Sequence, residues 1–211
     1  YKSMAACVAD LEKNGHLIRI REEVDPELEM AAIHLRVHEA DGPAILFENV
    51  KGTKFSAVSN LFGNMDRSRF IFRDTLSLVK KMVRLKANPL EALKKPIQHA
   101  FVPFAALNAL PSKLRKGPII QNTTNIDQLP LIKHWPMDGG AFVTLPIVYT
   151  EDMEKPGAMN SNIGMYRIQL NGNDYELNKE IGLHYQIHRG IGVHQTKANA
   201  LGKPLPVSIF V

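Results

Sequence analysis

Asn162, Tyr166 and Arg167 sit close together in NSNIGMYRIQL (160–170), and His184, Gln186, His188 and Arg189 in GLHYQIHRG (182–190). The two guanidinium groups are planar forked donors suited to phosphate or carboxylate. Asn and His can ligate a hard or borderline divalent ion. Gly190 and Gly192 let a backbone come close to a ligand. Along an extended chain alternate residues share a face. Asn160, Asn162, Gly164 and Tyr166 then fall on one side, and Ile163, Met165, Arg167 and Gln169 on the other. His184, Gln186 and His188 share one face of a second strand. On these residues alone two readings stay open. One is a solvated strand face with ordinary cross-strand hydrogen bonds. The other is a pocket for an anion and a metal at a sheet edge. No GxGxxG follows a strand, and GxxxxGK[ST], CxxC, HExxH and GxSxG are all absent.

The elements that must position these residues follow from periodicity and punctuation. Ser3 can cap a helix over 3–14 that carries Met4, Val8 and Leu11 on one face and ends at Gly15. A short strand is predicted over 16–20. A second helix is predicted over 25–40, with Asp25 as cap, Pro26 at its first position, and Leu28, Ala32 and Leu35 on its face. Strands are predicted at 44–50 and 55–60. Asp74 can cap a basic helix, TLSLVKKMVRLK. Pro89, Pro96, Pro103 and Pro111 then divide the chain into short pieces. After Pro111, short Val/Ile/Thr-rich runs between prolines and glycines (GPIIQN, FVTLPIVYT, NIGMYRIQL, IGLHYQI, LPVSIFV) predict an antiparallel sheet or barrel. The fold class expected is α+β: an α/β domain over 1–110 with a basic helical segment, then an incomplete barrel over 111–211. The last run stops at Val211 with no turn behind it, and the chain starts with Tyr, so a longer natural protein is expected.

The bulk composition bounds the function. The 211 residues are 45% hydrophobic with a net charge of +5, which suits a globular fold with a core rather than disorder. Cys7 is the one cysteine, so no internal disulfide forms; it reads as a small core residue. No run reaches the roughly 18 apolar residues of a spanning helix, and no secretory signal is visible. Residues 73–116 hold ten Lys/Arg against Asp74 and Glu91. Such a block suits a solvated helix face, an anionic membrane surface or an acidic partner. It has little aromatic interleaving, so no nucleic acid is expected. His16, His34, His38, His99, His134 and His194 read as surface or capping groups, and Trp135 as a packing anchor.

The segments DGPAILFENVKG, SNLFGNMDR, QLPLIKHWPMDGG, VTLPIVYTEDMEKPGAMNSNIGMYR and LHYQIHRG occur in an order that resembles the N-terminal half of the UbiD family. These are decarboxylases of 3-octaprenyl-4-hydroxybenzoate and related aromatic or α,β-unsaturated acids, placed in quinone biosynthesis. The resemblance implies a split β-barrel like that of flavin reductases. It implies prenylated FMN as cofactor, with Mn2+ and often K+ bridging the cofactor phosphate to the protein. Asn162 is then a metal ligand, and His188 the best match for a second one. Asn162, Met165, Tyr166, Arg167, His184, Tyr185, Gln186, Arg189 and Gly190 would line the cofactor. Arg167 matches the catalytic arginine, which orients the substrate carboxylate. The family's acidic partners lie further along than this chain, so the chain alone is expected to be inactive. Further implications are a flavin prenyltransferase as cofactor supplier, homo-oligomers of the full-length form, and a cytoplasmic location with peripheral membrane association left open. The alternative is a non-catalytic module that binds a flavin phosphate or another anion.

Overall fold

A computed structural model describes residues 1–88 and 114–211. His99, the four prolines from Pro89 to Pro111 and the expected boundary at 110/111 lie outside the described residues. The chain divides into two compact units. The first comprises 1–20, 36–46 and 58–122, and the second 21–35, 47–57 and 123–211. A three-stranded sheet runs in the order β1-β2-β3, with β1 Leu17–Val24, β2 Ala44–Val50 and β3 Ala57–Ser59.

In the first unit, α1 (Met4–Lys13) is capped by Ser3, whose hydroxyl accepts from the Ala6 N–H at 3.2 Å. Gly15 follows at φ +73°, a conformation glycine adopts without strain. Cys7, Val8 and Leu11 bury against Leu17, Ala44 and Leu61. Met4 stays exposed, so Cys7 takes the place on the apolar face expected of Met4. The motif SNLFGNMDR folds around a buried cation. Asn64 caps α3 (Met65–Ile71) by accepting from the Asp66 and Arg67 N–H groups. Arg67 is buried and donates to the carbonyls of Leu61 (3.1 Å), Gly42 (2.9 Å) and Asn60 (2.7 Å). Helix α4 (Leu76–Ala87) buries none of its residues, and its Lys80, Lys81, Arg84 and Lys86 are exposed, as a solvated face requires. Asp74 does not cap it. The Phe72 carbonyl instead accepts from Thr75 and Leu76, so one helix runs into the next.

Helix α2 (Glu29–Glu39) starts four residues later than expected. Leu28 takes φ +69°, and its N–H donates to the Lys133 carbonyl while Lys133 N–H donates to Pro26. Pro26 is therefore bridged rather than helical, and Met30, not Leu28, is the buried residue of the helix. In the second unit two antiparallel sheets follow. One has the order β4-β7-β8 (Phe142–Val143, Ile168–Gln169, Gly182–Leu183), the other β6-β5-β9 (Ser161–Met165, Ile147–Glu151, Ser208–Phe210). Their shared core holds Ala141, Val148, Ile168, Leu170 and Ile191. No closed barrel forms among the described residues.

Two of the expected strands differ. GPIIQN becomes the short helix α5 (Pro118–Gln121), with Pro118 at its first position and the Asn122 side chain donating to the Pro118 carbonyl. IGLHYQI is a strand only to Leu183, after which the chain turns and enters α6 (Gly190–Ala200). Helix α6 turns Ile191, His194 and Ala198 to the core, with Gly192 beside them, and leaves Val193, Thr196 and Asn199 exposed. Among the described residues no helix is long and apolar enough to cross a membrane.

Two outcomes are expected of these elements. Arg67→Met removes a charged donor from three carbonyls, of which Gly42 keeps Asn60 Nδ2 at 3.2 Å and Asn60 keeps the Gly63 N–H at 3.5 Å, and should cost about 3 kcal/mol of stability, read by urea unfolding; a loss below about 1 kcal/mol would refute the account. Lys197 of α6 pairs with Asp152 at 2.6 Å and Glu154 at 3.1 Å. The Lys197 hydrogen bond, then the Glu154 N–H, holds the Asp152 carboxyl at about 2, against an ordinary 3.8. This tie therefore stabilises fully above about pH 4 and fades as pH falls towards 2. Lys197→Met should flatten acid unfolding across that window, and an unchanged acid limb would rule the tie out as its source.

Candidate functional site

The centre strand β5 sets the register of the site. Thr150 lies opposite Asn162, and Val148 opposite Gly164. Thr150 is buried and shares a 2.9 Å hydrogen bond with Nδ1 of His194, itself buried in α6. His194 is thus a core residue and not the surface group expected. The bond brings the start of α6 onto the sheet face that carries Asn162. The approach is close: a Cβ on Gly190 would come to 2.1 Å from Asn162 Oδ1, so a side chain there would push the Asn162 amide from its place. One on Gly164 would meet the Tyr166 ring at 2.6 Å.

The result is an open cavity of about 750 Å3. Strand β6 and the two residues after it contribute Asn162, Ile163, Gly164, Met165, Tyr166 and Arg167. The segment after β8 gives His184, Tyr185 and Gln186, and the start of α6 gives Arg189 and Gly190. All nine residues expected at a cofactor line this one cavity. They do so by a different local geometry from the one expected. Strand pairing stops at Met165 and at Leu183, so Tyr166, Arg167 and His184–Gln186 reach the cavity from irregular chain. His184, Gln186 and His188 therefore do not share a strand face. His188 lies exposed in the turn before α6, outside the cavity lining.

Local hydrogen bonds fix the lining. Asn162 Nδ2 donates to the Tyr166 hydroxyl at 3.4 Å, and the Tyr166 ring meets Tyr185 edge-on at 6.5 Å. His184 Nε2 lies 3.2 Å from Oε1 of the buried Gln169. Arg189 Nε donates to Gln186 Oε1 at 3.3 Å. Helix α6 has Arg189 as its N-cap and no side-chain cap bond, and of its first three residues Gly190 lines the cavity while Ile191 and Gly192 are buried. The lining holds two guanidinium groups and no carboxylate.

The sequence reading missed the surroundings of Arg167. Its Nη2 donates to Asp138 Oδ1 at 3.0 Å, and its guanidinium lies 3.8 Å over the Phe142 ring. Phe142 also meets His184 edge-on at 5.5 Å. Burial works against the Asp138 charge, yet the Arg167 hydrogen bond and charge and the Trp135 N–H hold its carboxyl below the usual range. His134 is pushed down by burial. Trp135 is exposed, and only its backbone N–H and carbonyl have a role here, so it is not the packing anchor expected. The signal for Asp138 was the WPMDGG turn, where a carboxylate can bond back to a backbone N–H three residues earlier.

Comparison with known proteins agrees with this architecture. Residues 8–86 match the 3-octaprenyl-4-hydroxybenzoate carboxy-lyase N-terminal domain family, and residues 111–211 the 3-octaprenyl-4-hydroxybenzoate carboxy-lyase Rift-related domain family. An uncharacterised protein of Chlamydia trachomatis is 39% identical over 99% of this chain and 35% of its own length. A protein of Chlamydia pneumoniae, named as a subunit of 4-hydroxybenzoate decarboxylase, is 38% identical over 92% of the chain and 32% of its own length. Vanillic acid decarboxylase of Sedimentibacter hydroxybenzoicus, in closed form, superimposes with a TM-score of 0.78 at 26% identity, over 100% of this chain and 43% of that one. The UbiD-class enzyme HmfF of Pelotomaculum thermopropionicum, solved with FMN, shares the fold at TM-score 0.66 and 23% identity, over 97% and 41%. The chain spans about a third of the length of the curated relatives it matches. It belongs to the UbiD family, whose N-terminal portion it represents.

Proposed function

We propose that this chain forms the cofactor-binding part of a decarboxylase of aromatic or α,β-unsaturated carboxylic acids, of the 3-polyprenyl-4-hydroxybenzoate type. One observation carries the reading. All nine residues that the family resemblance implicates line a single cavity that presents two guanidinium groups and the Gly190 end of a helix and no carboxylate. That donor set fits the phosphate of a flavin mononucleotide. Arg189 and the Gly190 N–H at the start of α6 would hold the phosphate, since a helix start and a guanidinium both favour an anion. Gly190 leaves the room that this approach needs. Tyr166 and Tyr185 would shield the ring system from water. Prenylated FMN, when bound, supplies the electron sink for loss of CO2. Arg167, in the same lining, would contact the flavin and also pair with the substrate carboxylate to orient it for departure, which makes it the candidate catalytic residue.

The metal part of the reading finds less support. Asn162 offers one neutral amide donor, His188 lies outside the lining, and no group of three His, Cys, Asp or Glu among the described residues could hold an ion. These residues do not make a complete shell for Mn2+ or K+, and no step is derived through either.

The absence of a carboxylate from the lining favours a second reading, a flavin-phosphate module without turnover. Release of CO2 from a prenylated hydroxybenzoate by the full-length protein, loaded with prenylated FMN, separates the two. Binding itself is tested on the chain by FMN titration calorimetry. Asn162→Ala and Arg189→Met should each weaken FMN by about tenfold, the scale of one lost charge-assisted hydrogen bond, and added salt should weaken it further. If both variants bound FMN as the native chain does, the cavity would not be the flavin site.

A further inference from the structure

We propose that Asp138 is the positioning residue for Arg167, fixing the guanidinium so that its other N–H groups stay presented to an anion in the cavity. The inference rests on the reading of that cavity as an anion site. Asp138 does not itself line the cavity. Its carboxylate is held in a reciprocal turn: the Trp135 N–H donates to Oδ2 at 3.2 Å, and the Asp138 N–H donates to the Trp135 carbonyl at 3.0 Å. Oδ1 remains for Arg167 Nη2 at 3.0 Å. The two side chains differ in access, with 12% of Asp138 exposed against 43% of Arg167. The acid is hidden and the cation open, an asymmetry that suits a support and the group it supports.

Strand β4, which follows that turn, supplies the second constraint. Four residues after Asp138, Phe142 places its ring under the guanidinium at 3.8 Å. Phe142 is itself fixed, because its N–H donates to the Ile132 carbonyl at 2.9 Å and it pairs with Gln169 across the sheet. An unsupported arginine side chain has many rotamers and must lose that freedom on binding. Here the carboxylate fixes one edge and the ring fixes the plane before any ligand arrives, which lowers the ordering cost of capture. The family resemblance located the acidic partners of this arginine beyond the chain; Asp138 is a partner from the preceding segment.

The test turns on a sign. On charge alone, Asp138→Asn removes a negative charge near the cavity and should tighten FMN binding. Positioning gives the opposite result. Asp138→Asn is expected to weaken FMN by about tenfold, as for one charge-assisted hydrogen bond, while it melts as the native chain does. Phe142→Leu leaves the turn intact and is expected to act in the same direction. Combined with Arg167→Met, Asp138→Asn should add no further loss, because Asp138 works through Arg167. Tighter or unchanged binding, or a double loss equal to the product of the two single ones, would overturn the proposal. Nitrogen-15 spectra of the arginine side chains give a reading without ligand. Arg167, assigned by its disappearance in Arg167→Met, should show separate Nη signals in the native chain and averaged ones in Asp138→Asn. Indistinguishable spectra would also overturn it. FMN binding that ignores Arg167→Met as well would show that Arg167 does not contact the flavin, leaving the phosphate to Arg189, and the spectra alone would then decide the role of Asp138.

Discussion

The seat of α6 on the sheet is the constraint on which the rest of the site depends. Thr150 in the middle strand bonds His194 one turn into the helix, and Asp152, two residues on, bonds Lys197 nearly one turn further. Thr150 within β5 and Asp152 just past its end thus hold successive turns of one helix. Because Thr150 faces Asn162 across the ladder, the contact that holds the helix also brings its first turn to Asn162. A one-residue slip of β5 would reverse every one of these faces at once.

The electrostatics follow from that seat. The helix start and two guanidinium groups meet at one cavity, and the acids that balance them are placed outside its lining. Asp138 lies behind Arg167, while Asp152 and Glu154 engage Lys197 further along the helix. The cavity keeps its positive character without leaving isolated cations in a hidden place, where an unpaired charge is costly. Arg67, in the other unit, meets the same cost differently, with three backbone carbonyls in place of a carboxylate.

Much of this was legible in the residues. Ser3 and Gly15 marked both ends of α1 because capping and positive φ are local properties. The apolar run of β2 marked a buried strand. The nine candidate cofactor residues were found through motif order, and they share a cavity. What failed was geometry that depends on distant partners. Pro26 looked like a helix start until Lys133 bridged it. GIGVHQTKANA showed no helix signal, since two glycines and a buried face that mixes Ile191 with His194, opposite an exposed Val193, hide the helical period. His194 looked ordinary because its partner, Thr150, lies 44 positions earlier. Asp138 and Phe142 could not be tied to Arg167 from spacing, because the antiparallel pairing of β4 with β7 brings them together.

Strand β9 carries a consequence for the order of assembly. It pairs with β5, Ile147 opposite Phe210, while β5 and β6 form a nearby antiparallel pair. Helix α6 lies in the chain between β6 and β9. The β5–β6 pair can therefore close early over a short loop, whereas β9 must return across some sixty residues, at a larger entropy of closure. The sheet edge offered by β5 is open until that return. During that interval the polypeptide holds the Asn162 strand already formed beside an unpaired backbone edge, the arrangement most open to pairing with another chain. Synthesis from the N-terminus lengthens this interval, since the β5–β6 pair emerges well before β9 does.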